Sequence, residues 1–263
     1  MSRLALAFDP RAQNAEPRLV TYVTAGDPDL PRSREVLLAL ARGGADVIEV
    51  GVPFSDPVAD GPAIQRASDR AIAAGGSLTA SLDLIASVSK DIAAPLVLFT
   101  YVNPVLSMGL ETFVDRAARA GVDGVLLLDL PIEEAEPART ALDARGIDQI
   151  FLVSPTTTDE RLREAGRLGR GFLYAISRLG VTGARDTVAV TAAPLVARIR
   201  SVTSLPIALG FGISTPEHVR DVTAYADAAV VGSAIVQVIE RETAAGGDVA
   251  AAVGAFVAWL KGR

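Results

Sequence analysis

Cysteine is absent from this 263-residue chain, which excludes thiol nucleophiles, disulfides and cysteine-ligated metals. Histidine occurs once, as His218, so a zinc site built on several histidines is excluded as well, and no metal is expected. Lysine occurs twice, at Lys90 and Lys261, neither within a strand-like stretch. A Schiff-base mechanism is therefore left without its amine. Aromatic residues make up 5% of the chain while half of all residues are hydrophobic, so the core has to be built from Ala, Val, Leu and Ile. The formal net charge is −6 and no lysine- or arginine-rich run appears, so neither nucleic acid nor a membrane surface is expected as a partner. Neither a signal-peptide pattern nor an apolar run of bilayer-spanning length is found, and a cytoplasmic location is expected. For polar chemistry without a cofactor, carboxylates remain, with tyrosine hydroxyls in support.

What is present is a regular alternation. Strand-like runs occupy 18–23, 46–51, 95–101, 124–129, 149–153, 171–176, 206–211 and 228–231. Helical periodicity follows them at about 31–43, 62–74, 77–90, 110–120, 133–145, 158–168, 191–202, 233–243 and 248–261. Ser214-Thr215-Pro216-Glu217 reads as a capping box opening a further helix. Residues 2–13 predict a short helix or a cap on one end. Eight strand–helix units imply a parallel sheet, and closed on themselves they make a (β/α)8 TIM barrel, an α/β fold using residues 1–263 as one domain. The alternative is an open doubly wound sheet. That fold usually carries a glycine-rich fingerprint after its first strand, and the AGDP turn at 25–28 is not one.

The densest chemistry lies in 46–61, DVIEVGVPFSDPVADG. Val47, Glu49 and Gly51 share one strand face, and Ile48 and Val50 the other. A parallel strand covered on both faces should be apolar throughout, and Glu49 breaks that rule. The bland reading is a glutamate held by a helix N-terminus or an arginine. The functional reading pairs it with Asp60 at the barrel mouth, where two carboxyls in different surroundings can divide acid and base roles. Asp56, in the same loop, reads as a turn cap.

Glycines cluster at three successive strand ends: Gly180 with Gly183, Gly210 with Gly212, and Gly232 followed by Ser233. Backbone N–H groups there, with a helix dipole behind them, predict a phosphate site at Gly183, Gly212, Gly232 and Ser233. Each glycine taken singly could merely serve a turn. Tyr22, Phe99, Tyr101, Tyr174 and Phe211 also fall near strand ends, predicting a flat apolar pocket or ordinary core filling. His218 reads as a solvated helix residue and Trp259 as packing the last helix against the barrel. Arg178 and Arg185 flank the sixth strand's loop without an assignment.

IEVGVPFSDPVADGPAIQRA at 48–67 closely resembles the signature of the tryptophan synthase alpha chain family. The resemblance extends through YVTAGDPD (22–29), TYVNPV (100–105), LLDLPIEE (127–134), SRLGVTGAR (177–185) and GFGISTPEHV (210–219). It implies a barrel that cleaves indole-3-glycerol phosphate to indole and glyceraldehyde 3-phosphate. Glu49 would protonate the ring carbon and take the proton of the adjacent hydroxyl. Asp60 would stabilise charge on the ring nitrogen, Tyr174 would help position the site, and the glycine loops would hold the phosphate. The indole would lie among Tyr22, Phe99, Tyr101 and Phe211. The resemblance implies no cofactor in this chain, a beta chain partner carrying pyridoxal phosphate, an α2β2 assembly, and loops 53–61 and 178–190 that close over substrate. A stand-alone lyase and a catalytically silent binding subunit are the competing readings.

Overall fold

Each strand carries different residues on its two faces, and the two faces build two cores. In this computed structural model, residues 1–9, 16–176, 192–210 and 212–263 are described. The predicted contributions of Gly183, Phe211 and the 178–190 loop, with Arg178 and Arg185, lie outside them. The strands are β1 (Leu19–Thr24), β2 (Val47–Gly51), β3 (Leu96–Thr100), β4 (Gly124–Leu127), β5 (Asp148–Val153), β6 (Leu173–Ile176), β7 (Ile207–Gly210) and β8 (Ala228–Val231). All pair in parallel, in chain order, and β8 closes on β1. The (β/α)8 barrel is thus the architecture found.

Val20, Val47, Val97, Leu126, Ile150, Ala208 and Ala228 fill the barrel interior, with Phe172 among them. Ile48, Val50, Leu96, Leu98 and Val125 face the opposite way, into the layer between barrel and helices. That outer layer is covered by α2 (Leu30–Gly43), α3 (Pro62–Ala73), α4 (Leu78–Val88), α6 (Leu110–Ala120), α7 (Glu136–Asp143), α8 (Asp159–Leu168), α9 (Ala192–Arg200), α10 (Pro216–Thr223), α11 (Ser233–Ala245) and α12 (Val249–Leu260). A short α5 spans Val102–Met108. The N-terminal α1 (Arg3–Ala7) closes the floor: Leu4 and Phe8 join the interior cluster, and the Phe8 ring lies 5.2 Å from that of Phe172. Among the described residues no single helix is long and apolar enough to cross a membrane.

One device recurs at the floor. Asp46, Asp123 and Asp227 each precede an even-numbered strand and accept a hydrogen bond from the first N–H region of the strand before it. The donors are Leu19, Leu96 and Ile207, at 2.7, 2.8 and 2.7 Å. A cation holds each carboxylate: Lys261 on Asp46, Arg3 on Asp123 and Arg200 on Asp227. Each therefore satisfies a strand end and ties it to a helix or terminus.

Three sequence expectations need correction, and one helix was missed. The 133–145 helix is a 3-10 turn, Ile132–Glu134, followed by α7, because Pro137 favours a new helix start. Helix α5 was not predicted; seven residues are too few to display a helical period, and its first N–H is bonded by Asp129 at 2.7 Å. The cap of α10 is Thr215, whose hydroxyl accepts from the His218 N–H at 3.3 Å, so Ser214 and Glu217 are not a capping box. Pro216 takes the first helical position and moves the cap next to it. Trp259 does not pack against the barrel. It is 46% exposed, because Val249, Val253, Val257 and Leu260 already form the buried face of α12.

Candidate active site

Glu49 points into the barrel because Val47, two residues earlier, does. Its strand neighbours in register are Tyr22 and Val97. The residue is fully buried, and neither carboxyl oxygen has a hydrogen-bond partner among the described residues. Among the described residues no arginine or helix N-terminus holds it there, against the bland reading. Burial in this apolar shell pushes its pKa up to about 8. At neutral pH Glu49 is a carboxylic acid with a proton to give.

Asp60 ends the loop after β2, one residue before Gly61, the N-cap of α3. The Tyr101 hydroxyl donates to its Oδ2 at 3.0 Å and accepts from the Ala59 N–H at 3.1 Å. Phe54 stacks on the Tyr101 ring at 4.9 Å and holds it in place. Burial raises the Asp60 pKa to about 6, against the lowering effect of the Tyr101 hydrogen bond. The two carboxyls are thereby separated, one protonated and one largely ionised near pH 7. Asp56 is exposed, accepting from Ser55 at 2.7 Å, and takes no part in the cavity.

A cavity of about 330 Å³ opens at this end of the barrel. Asp60, Tyr22, Phe99, Tyr174, Gly212, Gly232 and Ser233 all line it, so the structure brings most of the predicted residues together. Tyr101 is not among the lining residues. Its place is behind Asp60, as a hydrogen-bond partner rather than a pocket wall. Phe99 sits between the two tyrosines, edge-on to Tyr22 at 5.4 Å and to Tyr174 at 6.4 Å. Two glycines make room for those rings. A Cβ on Gly51 would fall on the Tyr22 hydroxyl, and one on Gly210 would come within 2.6 Å of the Tyr174 hydroxyl. Burial raises both tyrosine pKa values well above the ordinary value, and the nearby carboxyls add to it, so both hydroxyls stay protonated.

The polar wall is backbone. Gly212 has φ +70° with open space where a side chain would be. Gly232 precedes α11, and no side chain caps that helix. Its first N–H groups lack intrahelical acceptors and carry the positive end of the dipole, which suits an anion. Leu128, Leu152, Ile64, Gln237 and Arg66 also line the cavity and were not singled out from sequence. For Leu128 and Leu152 the signal was available: each stands two residues beyond an inward-facing neighbour, Leu126 or Ile150.

A closed parallel barrel with a neutral acid, a second carboxylate and an uncapped helix end at its mouth is an enzyme architecture equipped for acid–base chemistry. The sequence profile of the tryptophan synthase alpha chain family matches residues 8–261. The tryptophan synthase alpha chain of Geotalea uraniireducens is 50% identical over 99% of this chain and 97% of its own length, and that of Geobacter sulfurreducens 49% over 99% and 98%. Among solved structures, tryptophan synthase from Mycobacterium tuberculosis superposes with a TM-score of 0.88 at 37% identity, covering 99% of this chain and 98% of that one. A tryptophan synthase a2b2 complex from Pyrococcus furiosus gives 0.87 at 37% identity, covering 94% and 99%. The chain belongs to the tryptophan synthase alpha chain family. It is a lyase of tryptophan biosynthesis, the subunit that cleaves indole-3-glycerol phosphate, and the family needs no cofactor in this subunit.

Proposed function

We propose that Glu49 and Asp60 carry the cleavage, with Tyr174 positioning the site. The observation that supports this is Glu49, fully buried with no hydrogen-bond partner among the described residues and in register with Tyr22, which lines the same cavity as Asp60. Glu49 gives its proton to the ring carbon bearing the glycerol chain. The positive charge that develops on the ring nitrogen is stabilised by the Asp60 carboxylate. Glu49, now a carboxylate, takes the proton of the adjacent hydroxyl as the C–C bond breaks, and the bonding pair returns to the ring. Indole and glyceraldehyde 3-phosphate result, and Glu49 ends protonated as it began. Tyr22 and Phe99 flank the indole. The N–H groups of Gly212, Gly232 and Ser233, with Gly183, hold the phosphate. The loop at 53–61 closes over the bound substrate and excludes water.

Residues 1–263 act as one barrel unit in the cytoplasm, in an α2β2 assembly whose beta chain carries pyridoxal phosphate and receives the indole. The a2b2 complex of the Pyrococcus furiosus relative supports the partner. The test is indole release from indole-3-glycerol phosphate by the purified chain, with and without a beta chain. Weak activity strongly raised by the partner is the expected result. Fast release alone would mark a stand-alone lyase, and none under either condition a silent subunit.

The pH dependence follows from the two carboxyls. kcat/KM for the complex should fall below about pH 6, as Asp60 takes up a proton, and above about pH 8, as Glu49 loses its own. A profile still rising at pH 9 would rule out Glu49 as the acid.

Gly212→Val should weaken competitive inhibition by glycerol 3-phosphate about tenfold or more. It forces a β-branched residue to φ +70° and crowds the N–H groups that meet the phosphate. An unchanged inhibition constant would remove Gly212 from the phosphate site.

A further inference from the structure

Arg66 stands on α3 and lines the same cavity as Asp60, Gly212, Gly232 and Ser233. Among the described residues it is the one cationic side chain doing so. Its Nε and Nη2 donate to the two carboxylate oxygens of Glu240 on α11, at 2.7 and 2.8 Å. Half of the Arg66 side chain is exposed, so solvent screens this pair, though its two-pronged geometry and its network hold it more firmly than a lone surface pair. Glu240 also has a second cation, because Arg70 Nη1 donates to it at 3.0 Å. Arg70 is itself fixed by two bonds to the buried carboxylate of Asp27, at 2.8 and 3.0 Å. Glu240 therefore keeps a partner when Arg66 lets go.

Ser233, Gln237 and Glu240 follow one another at intervals of four and three residues, so they form one stripe along α11. Ser233 is about 10 Å from Glu240 along the helix axis. A rotamer change about the four side-chain torsions of an arginine sweeps a distance of that order. The backbone N–H groups at the helix end are neutral donors, and they offer a phosphate dianion no full opposite charge. A guanidinium supplies that charge with a donor geometry matched to phosphate oxygens.

We propose that Arg66 is an exchangeable ligand of the substrate phosphate, leaving Glu240 when the phosphate settles on the end of α11 and returning to it on release. This rests on the reading of Gly212, Gly232 and Ser233 as the phosphate site. Binding exchanges one anion for another at the same guanidinium, while Arg70 stays with Glu240.

The experiment uses the chain with its beta partner, and glycerol 3-phosphate and inorganic phosphate as probes. Arg66→Gln should raise KM for indole-3-glycerol phosphate and the inhibition constants of both probes by about tenfold. Affinity for indole, which has no phosphate, should not move, and Arg66→Lys should recover part of the loss. Glu240→Gln separates exchange from bracing. It releases Arg66, so inhibition by inorganic phosphate should be at least as strong as in the parent protein. If Glu240→Gln weakens phosphate inhibition as much as Arg66→Gln does, the pair is a brace between α3 and α11 and the proposal fails. It fails equally if Arg66→Gln leaves KM and both inhibition constants unchanged. Should Gly212→Val weaken phosphate inhibition in that case, the phosphate site stands without Arg66; should neither substitution matter, the site itself is misplaced. Melting temperatures of the variants near that of the parent protein confirm that folding is not being read.

Discussion

Glu49→Gln is expected to slow indole release by about 10²–10⁴-fold, the usual worth of a positioned proton-transfer group. The amide keeps the shape of the side chain and cannot give or take the proton. The barrel should remain folded, because the apolar shell around position 49 already accepts an uncharged group. The same substitution has a signature in stability. The folded-state pKa of Glu49 is raised to about 8 from an ordinary 4.5, so the fold favours the neutral form. Below pH 4.5 both folded and unfolded chains hold the proton, and this contribution to stability is fully present. As pH rises toward 8 the unfolded chain ionises first, and the contribution is lost, by on the order of a few kcal/mol. Denaturant unfolding at pH 5 and pH 8 should show a smaller loss for Glu49→Gln than for the parent protein. Near-normal turnover would remove Glu49 from the chemistry, and an identical pH slope would mean that it is not held neutral.

Gly51→Ala should cost about 10²-fold in kcat/KM without any change to a polar group, the scale of loss that follows a displacement of about 1 Å. The added Cβ would lie on the Tyr22 hydroxyl and 2.5 Å from its Cζ. Tyr22 packs edge-on against Phe99 and pairs in register with Glu49, so the ring has nowhere to go but into the cavity. Replacing Tyr22 by Leu in the same chain frees the space, and the double variant should regain activity over Gly51→Ala alone. A single variant with parent-like kinetics would show that the ring can yield, and an unrescued double variant would show that Gly51 matters for another reason.

The alternation of continuous apolar runs with helical periodicity carried most of the fold, because the strands are apolar on both faces and few polar residues interrupt them. Glu49 was legible for that reason: a carboxylate on an otherwise apolar strand is an anomaly one sequence can display. Asp60 and the glycines were legible through their places at strand ends. Tyr101 was misread because its strand-end position says nothing about which way the hydroxyl turns; the loop bearing Asp60 decides that. The role of Gly51 and of Gly210 in making room for a tyrosine escaped because each ring stands on the neighbouring strand. Arg66 looked like any exposed helix cation, since its partner is 174 residues away. The aspartates at 46, 123 and 227 form a repeated pattern that could have been read, each preceding a strand run in a similar context.

The floor of the barrel has an electrical consequence. With Leu4 and Phe8 beneath it and valine and leucine side chains around it, the Glu49 carboxyl is insulated on every side but the mouth. Its affinity for a proton is therefore governed by whatever occupies that single opening. Even with the mouth empty the carboxyl is fully buried, so solvent in the cavity is the nearest strongly polarisable medium, and a flat apolar ring lodged there removes it. Occupancy of the mouth should therefore act on the acidity of Glu49 through the permittivity around it, in addition to the nearby Asp60 carboxyl.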